Sequence, residues 1–255
     1  MILEFKYQER YSRGELLLRT ILGFFYLILP HALLLGIFGI AAAVLQFLAF
    51  WVILFTGRYP ESWFEFQVKY MRWNLRLTAR IFNLADGYPA FGLNATDDNV
   101  TFEVPYPEKI SRGLTLVRGL FGFIYVMIPH GIILSLLNVA VSLLSFIAFF
   151  AILFTGKHPK GMFDFVVYFL RWNQRVSLYL GHMTDTYPPF SGDPDPAPAT
   201  PEETEASAQE APQEPEEKKN EDPGRFMPPS SDDKPSDGDD NAKGDETNKD
   251  DTSKE

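Results

Sequence analysis

Cysteine is missing from this chain, which removes disulfides, thiolate nucleophiles and cysteine-ligated zinc or iron–sulfur centres. Charge is missing too, but locally: residues 20–57 and 119–156 contain no Asp, Glu, Lys or Arg. There is no glycine-rich phosphate loop, no Gly-x-Ser-x-Gly elbow and no His-Glu-x-x-His helix. The chain therefore carries none of the usual marks of nucleotide binding, serine hydrolysis or zinc proteolysis, and no metal or cofactor is expected. Acidic residues are scarce over most of the length. Residues 1–190 hold 12 acidic and 16 basic side chains, a balance of +4, while residues 191–255 hold 21 and 7, a balance of −14. The sequence pI near 4.9 thus describes the end of the chain and not its mildly basic, apolar body. The opening MILEFKYQERYSRGE mixes both signs of charge ahead of any apolar run and does not read as a secretory signal.

What the chain has is a duplication. A shift of 99 residues aligns 12–91 with 111–190 without a gap, and 33 of the 80 positions are identical. Such dense, gapless identity points to tandem repetition. The matches cluster in short runs: Ser-Arg-Gly, Arg19 with Arg118, Pro-His at 30–31 and 129–130, ILFTG, Arg-Trp-Asn-x-Arg from Arg72 and Arg171, and Asp-x-Tyr-Pro-x-Phe from Asp86 and Asp185. The organisation expected is repeat 1 over 12–91, a linker over 92–110, repeat 2 over 111–190 and an acidic tail over 191–255.

Each uncharged stretch has 38 residues, about 57 Å as one helix against a hydrocarbon core of about 30 Å. Folded in two, it gives helices of about 27 Å that just cross. Turns are expected at 36–39 and 135–138, where Gly36, Gly39, Ser135 and Asn138 stand. Arginines and lysines flank both ends of both stretches, which suits an even number of crossings with both flanks cytoplasmic. The fold class expected is an all-α integral membrane protein: two transmembrane hairpins, each followed by an amphipathic interfacial helix. The alternative is one span per copy, with 19–30 held in the interface and the second copy inverted.

ILFTGRYP and ILFTGKHP read as the joint between span and surface helix. Gly57 and Gly156 suit a left-handed C-cap, and Pro60 and Pro159 suit the first turn of a new helix. On that new helix Glu65, Lys69, Arg72, Arg76 and Arg80 fall within one stripe about 80° wide, the rest being largely apolar. The second copy keeps Asp164, Arg171 and Arg175 on the same edge. Such a helix suits an interface, with Arg72, Arg76, Arg171 and Arg175 reaching lipid phosphates or a partner's carboxylates. Trp63, Trp73 and Trp172 suit an aromatic belt.

His31 and His130 are ionisable groups inside the uncharged stretches, each behind a proline. They fit either an ion pathway or a neutral imidazole bonded to a carbonyl that the proline leaves free. Asp86 and Asp185 suit a structural turn or a pair with an Arg of the Arg-Trp-Asn-x-Arg run, and no acid–base partner recurs beside them for catalysis. The tail, rich in Asp, Glu, Pro, Lys and Ser, is expected to be disordered, repelling nucleic acid and offering a docking strand to a basic protein partner.

The order LFTGRYP, Arg-Trp with a further Arg, then Asp-x-Tyr-Pro-Pro-Phe resembles domain-of-unknown-function family 4389 over both 12–91 and 111–190. Tyr187-Pro-Pro-Phe190 is intact, and Ala90 departs from the pattern. The resemblance implies a small bacterial integral membrane protein and assigns no residue a role. The function expected is that of a non-enzymatic, multi-pass scaffold or modulator of a membrane complex in the bacterial cytoplasmic membrane. Lipids are its surroundings and the tail is cytoplasmic. The rival is a small transporter or channel using the two Pro-His sites.

Overall fold

The computed structural model describes residues 1–195. The tail expected over 191–255 therefore falls mostly on 196–255, outside the described residues.

Four helices follow the duplication. Helix α1 runs unbroken from Arg13–Thr56, and α3 is its counterpart over Arg112–Thr155. Each starts on a serine cap: Ser12 Oγ accepts the Glu15 N–H at 3.3 Å, and Ser111 Oγ accepts that of Leu114 at 3.3 Å. Each widens into a π-helical turn just before its proline, at Phe24–Ile28 and Phe123–Met127. Each ends on a left-handed glycine, Gly57 at φ 72° and Gly156 at φ 70°, whose N–H bonds the carbonyl four residues back at 2.7 Å. Pro60 and Pro159, in extended geometry, then open α2 (Glu61–Ile81) and α4 (Lys160–Leu180).

The expected hairpins are not formed. Gly36, Gly39, Ser135 and Asn138 all lie within continuous helix, so each copy holds one 44-residue apolar helix about 66 Å long. A glycine costs a helix about 1 kcal/mol against alanine, too little to break one whose inner seam is packed along its length. That seam recurs with the 99-residue shift: Leu16, Gly23, Leu27, His31, Leu35, Ala42, Ala49 and Ile53 in α1, and their equivalents from Thr115 to Ile152 in α3. The π turns insert a residue and keep His31 and His130 on it.

The all-α class also needs amending. Strands β1 (Ile2–Phe5) and β2 (Val100–Glu103) form an antiparallel pair with Leu3 opposite Phe102. Each alternates buried and exposed side chains, as a half-covered strand does. They lie outside the gapless match, yet Leu3 and Phe102 are themselves 99 residues apart, so the duplication extends into the ladder.

The two copies are related by an internal two-fold axis, and each copy's leader crosses to the other. Tyr11 N–H bonds Gly156 O and Ile110 N–H bonds Gly57 O, both at 2.9 Å. Tyr7 OH donates to His158 O, and its equivalent Tyr106 to Tyr59 O. The start of α1 thereby sits against the end of α3, with Arg13 Nη2 donating to Phe154 O at 2.9 Å, and the start of α3 sits against the end of α1. The long helices are apposed head to tail. Helices α2 and α4 fold back along their own long helices: Gln67 Nε2 donates to Ala42 O at 2.6 Å on the way.

Close approach of α3 to α1 depends on Gly119, where a Cβ would run into the Phe50 ring. Gly119→Ala is expected to cost about 1–3 kcal/mol of stability through overpacking and so to lower the unfolding midpoint. Phe50→Leu in the same chain should recover part of it, read by thermal unfolding of the solubilised protein.

Candidate functional site

The runs shared by the two copies converge in space. In repeat 2 the Trp172 indole Nε1–H donates to His130 Nδ1 at 3.0 Å, and His130 Nε2 lies 3.1 Å from the Tyr187 hydroxyl. Because Nδ1 is an acceptor, the ring carries its proton on Nε2 and gives it to Tyr187. The Tyr187 hydroxyl in turn donates to Tyr125 O at 3.1 Å. Tyr125 stands four residues before Pro129, which has no N–H to offer its carbonyl. Phe190 stacks on the imidazole with centroids 4.0 Å apart and planes at 10°. Pro-His, Arg-Trp and Tyr-Pro-x-Phe are thus three parts of one clamp.

Repeat 1 builds the same clamp less completely. Trp73 Nε1–H donates to His31 Nδ1 at 2.8 Å, and Phe91 and Tyr88 pack on the ring at 4.8 and 5.2 Å. His31 Nε2 is buried and has no hydrogen-bond partner among the described residues. Both histidines are fully buried, each closed inside its own copy by an indole. The partner of Nδ1 is a tryptophan rather than the proline-freed carbonyl expected, and Trp73 and Trp172 are core residues rather than members of an aromatic belt.

The four arginines expected to face lipid or a partner bond the chain itself. Arg72 donates twice to Phe102 O, and its equivalent Arg171 donates twice to Leu3 O, so each repeat grips the middle of a strand. Arg171 also reaches Gly192 O at 2.8 Å. Arg76, fully buried, bonds Ala95 O and Gly92 O. Arg175 bonds Ser191 O and Asp193 O and pairs with Asp195 at 2.5 Å. Arg80 forms a buried pair with Asp97 at 2.7 Å. The stripe is real, but the segments after α2 and α4 fold back onto it.

Asp86 and Asp185 fasten the end of each repeat to its beginning. Asp86 Oδ2 accepts the Ser12 N–H at 2.6 Å, and Asp185 Oδ2 that of Ser111 at 2.7 Å. Their arginines come from the long helices, not from Arg-Trp-Asn-x-Arg: Arg19 at 3.7 Å and Arg118 at 2.8 Å. Burial pushes the Asp86 carboxyl above the ordinary carboxylate range, against the Ser12 N–H and Arg19, which pull it down. Arg19 also grips Asn83 Oδ1 at 2.8 Å, and at the equivalent position repeat 2 has His182. Asn83 and His182 are both left-handed, φ 55° and 59°. Gly57, Pro60, Gly156 and Pro159 form the joints already described. Among the described residues no three His, Asp or Glu side chains gather as a metal site would need.

Sequence reasoning placed the histidines, arginines and aspartates but missed Trp73, Trp172, Tyr187, Phe190 and Asn83 as their partners. The signal was present: most of these are among the positions identical in both copies. The match to the model for a domain of unknown function, DUF4389, covers residues 15–92 and 118–192. The chain belongs to that family, with two tandem copies. Neither a curated protein nor a solved structure matches it.

Two outcomes test the site. Trp172→Phe leaves His130 Nδ1 buried without a donor and should destabilise the protein by about 1–3 kcal/mol, measured by denaturation. His182 is buried beside Arg118 and Phe50, with Asp185 the nearby acid, and burial lowers its pKa from 6.5 to about 4. Its folded form therefore binds fewer protons than the unfolded chain between pH 6.5 and 4. Stability present above pH 6.5 is lost as pH falls through that window, by up to about 3 kcal/mol. His182→Asn, which installs the repeat 1 residue, should flatten that part of the stability–pH curve.

Proposed function

We propose that this two-copy DUF4389 protein is a non-enzymatic protein of the bacterial cytoplasmic membrane that scaffolds or modulates a membrane complex. The observation carrying this reading is the exposed surface of α1 and α3. Their most apolar windows are only 17% buried, where the core helix of a soluble protein would be mostly covered. Leu18, Leu22, Phe25, Leu29, Leu33, Ile37, Ile40, Val44, Phe47, Trp51 and Phe55 face outward at helical spacing, and α3 repeats the stripe. So continuous an apolar surface needs an apolar medium. The groups able to do chemistry are held in structural contacts: His31 and His130 by tryptophans, the aspartates by helix starts, the arginines by carbonyls. The acidic tail serves in this reading as a cytoplasmic docking strand for a basic protein partner.

Expressed in bacteria, the protein should stay in the membrane pellet after alkaline carbonate washing; recovery in the supernatant overturns the reading. In proteoliposomes, ion or proton flux lost on His31→Ala/His130→Ala would replace the scaffold with a transporter.

A further inference from the structure

The apolar face of the long helices does not match a bilayer crossed from side to side. From Leu17 to Phe55 it stays exposed over about 57 Å of helix, nearly twice the hydrocarbon thickness of about 30 Å. Helices α2 and α4 lie alongside α1 and α3, linked by Gln67 to Ala42, by Trp73 to His31 and by Trp172 to His130. Their exposed residues are Glu61, Ser62, Glu65, Asn74 and Ile81 on α2, and Lys160, Gly161, Asp164 and Ser177 on α4. Were α1 and α3 to stand upright, Glu61, Glu65, Lys160 and Asp164 would clear the hydrocarbon at the helix ends, but the exposed Asn74 amide, beside Gly39 and Ala42, would stand in its middle.

Symmetry decides where the polar surface lies. A two-fold axis that exchanges two head-to-tail helices stands perpendicular to both. Whatever packs on one face of α1 therefore recurs on the same face of α3. The ladder of β1 and β2, where Leu3 meets its own equivalent Phe102, sits on that axis, gripped by Arg72 of α2 and Arg171 of α4. The molecule is layered along the axis: sheet, then α2 with α4, then the long helices. Over 20–56 and 119–155 the long helices carry no charge, so the charged exposed groups belong to the upper layers and to the helix ends, and the apolar stripe to the lowest layer. The Met1 amino group and Asp195, from which the tail departs, pair at 3.0 Å and border the sheet end.

We propose that the protein does not cross the membrane but lies in one leaflet, its two-fold axis along the membrane normal and both long helices in the plane of the bilayer. The occupant of the apolar face is a lipid leaflet. Helices of this kind usually carry a polar back; here the back is apolar because α2 and α4 cover it. Head-to-tail pairing also explains why basic residues are shared between the two ends. Arg10, Arg13, Lys157 and Lys160 stand at one end and Arg58, Lys109 and Arg112 at the other. This gives an upright pair little preferred orientation, whereas a flat pair keeps both sets at the headgroups. The linker, the N-terminus and the start of the tail then share one side.

This inference rests on the membrane reading above, and one experiment separates their failures. Single cysteines replace Ile21, Ile40 and Phe55, which are 70%, 70% and 72% exposed, and carry nitroxides in proteoliposomes of phosphatidylethanolamine and phosphatidylglycerol. Oxygen and nickel-chelate accessibilities then report depth. The three labels are expected at one common depth, about 5–10 Å into the headgroup–acyl boundary. Cysteines at Glu9 and Lys160, at one end, and Glu61 and Glu108, at the other, should all react with an impermeant maleimide from the same side. A gradient with Ile40 deepest, or two ends that react from opposite sides, overturns the flat pose and leaves the membrane reading standing. Labels open to water overturn both. Labels shielded from both reagents and broadened by spin–spin coupling overturn the proposal in favour of a second copy of this chain.

Discussion

The bond on which the arrangement depends is the one each left-handed glycine makes with the other copy's leader. Gly57 O accepts from Ile110 N–H, and Gly156 O from Tyr11 N–H, both at 2.9 Å. Glycine holds φ near 70° at no steric cost, so the helix stops there and its turn offers that carbonyl. Because the leader comes from the other repeat, the start of each long helix is delivered to the end of its counterpart. The head-to-tail pairing and the axis perpendicular to it follow from that exchange.

The arginines turn this contact into a closed shell. A guanidinium that donates twice to a strand carbonyl, as Arg72 and Arg171 do, satisfies a backbone group that a two-stranded ladder leaves open. Arg76 and Arg175 do the same for the loops at 92–95 and 191–193. Trp73 and Trp172 directly follow Arg72 and Arg171, midway along α2 and α4, and their bonds to His31 and His130 fix the register of these helices against the long ones. Repeat 2 closes its clamp through Tyr187 to the Tyr125 carbonyl, four residues before Pro129, and repeat 1 leaves His31 Nε2 without a partner among the described residues, so the two halves are alike without being equivalent.

Much of this was legible in the residues. The 99-residue shift, the glycine–proline joints and the uncharged stretches were plain, since each is local or a matter of counting. The hairpin expectation treated 38 uncharged residues as too long for one helix, and the helix runs through them unbroken. Gly36 and Gly39 then looked like breaks, although packing on α2 holds the helix through them. The strands were missed because Ile2–Phe5 and Val100–Glu103 are too short to announce themselves. The arginine edge was seen but not its destination, because no pattern in α2 shows that 92–103 returns to cover it. Trp73 and Trp172 suit a belt by composition, yet their identity in both copies, beside repeated Pro-His pairs, points to the core.

The flat pose puts α1 and α3 in the plane of the membrane. Polarised infrared spectroscopy of the protein in oriented bilayers reads this directly from the dichroism of the helical amide I band. Helix axes close to the membrane plane are expected. Axes clustered within a few tens of degrees of the normal would contradict it.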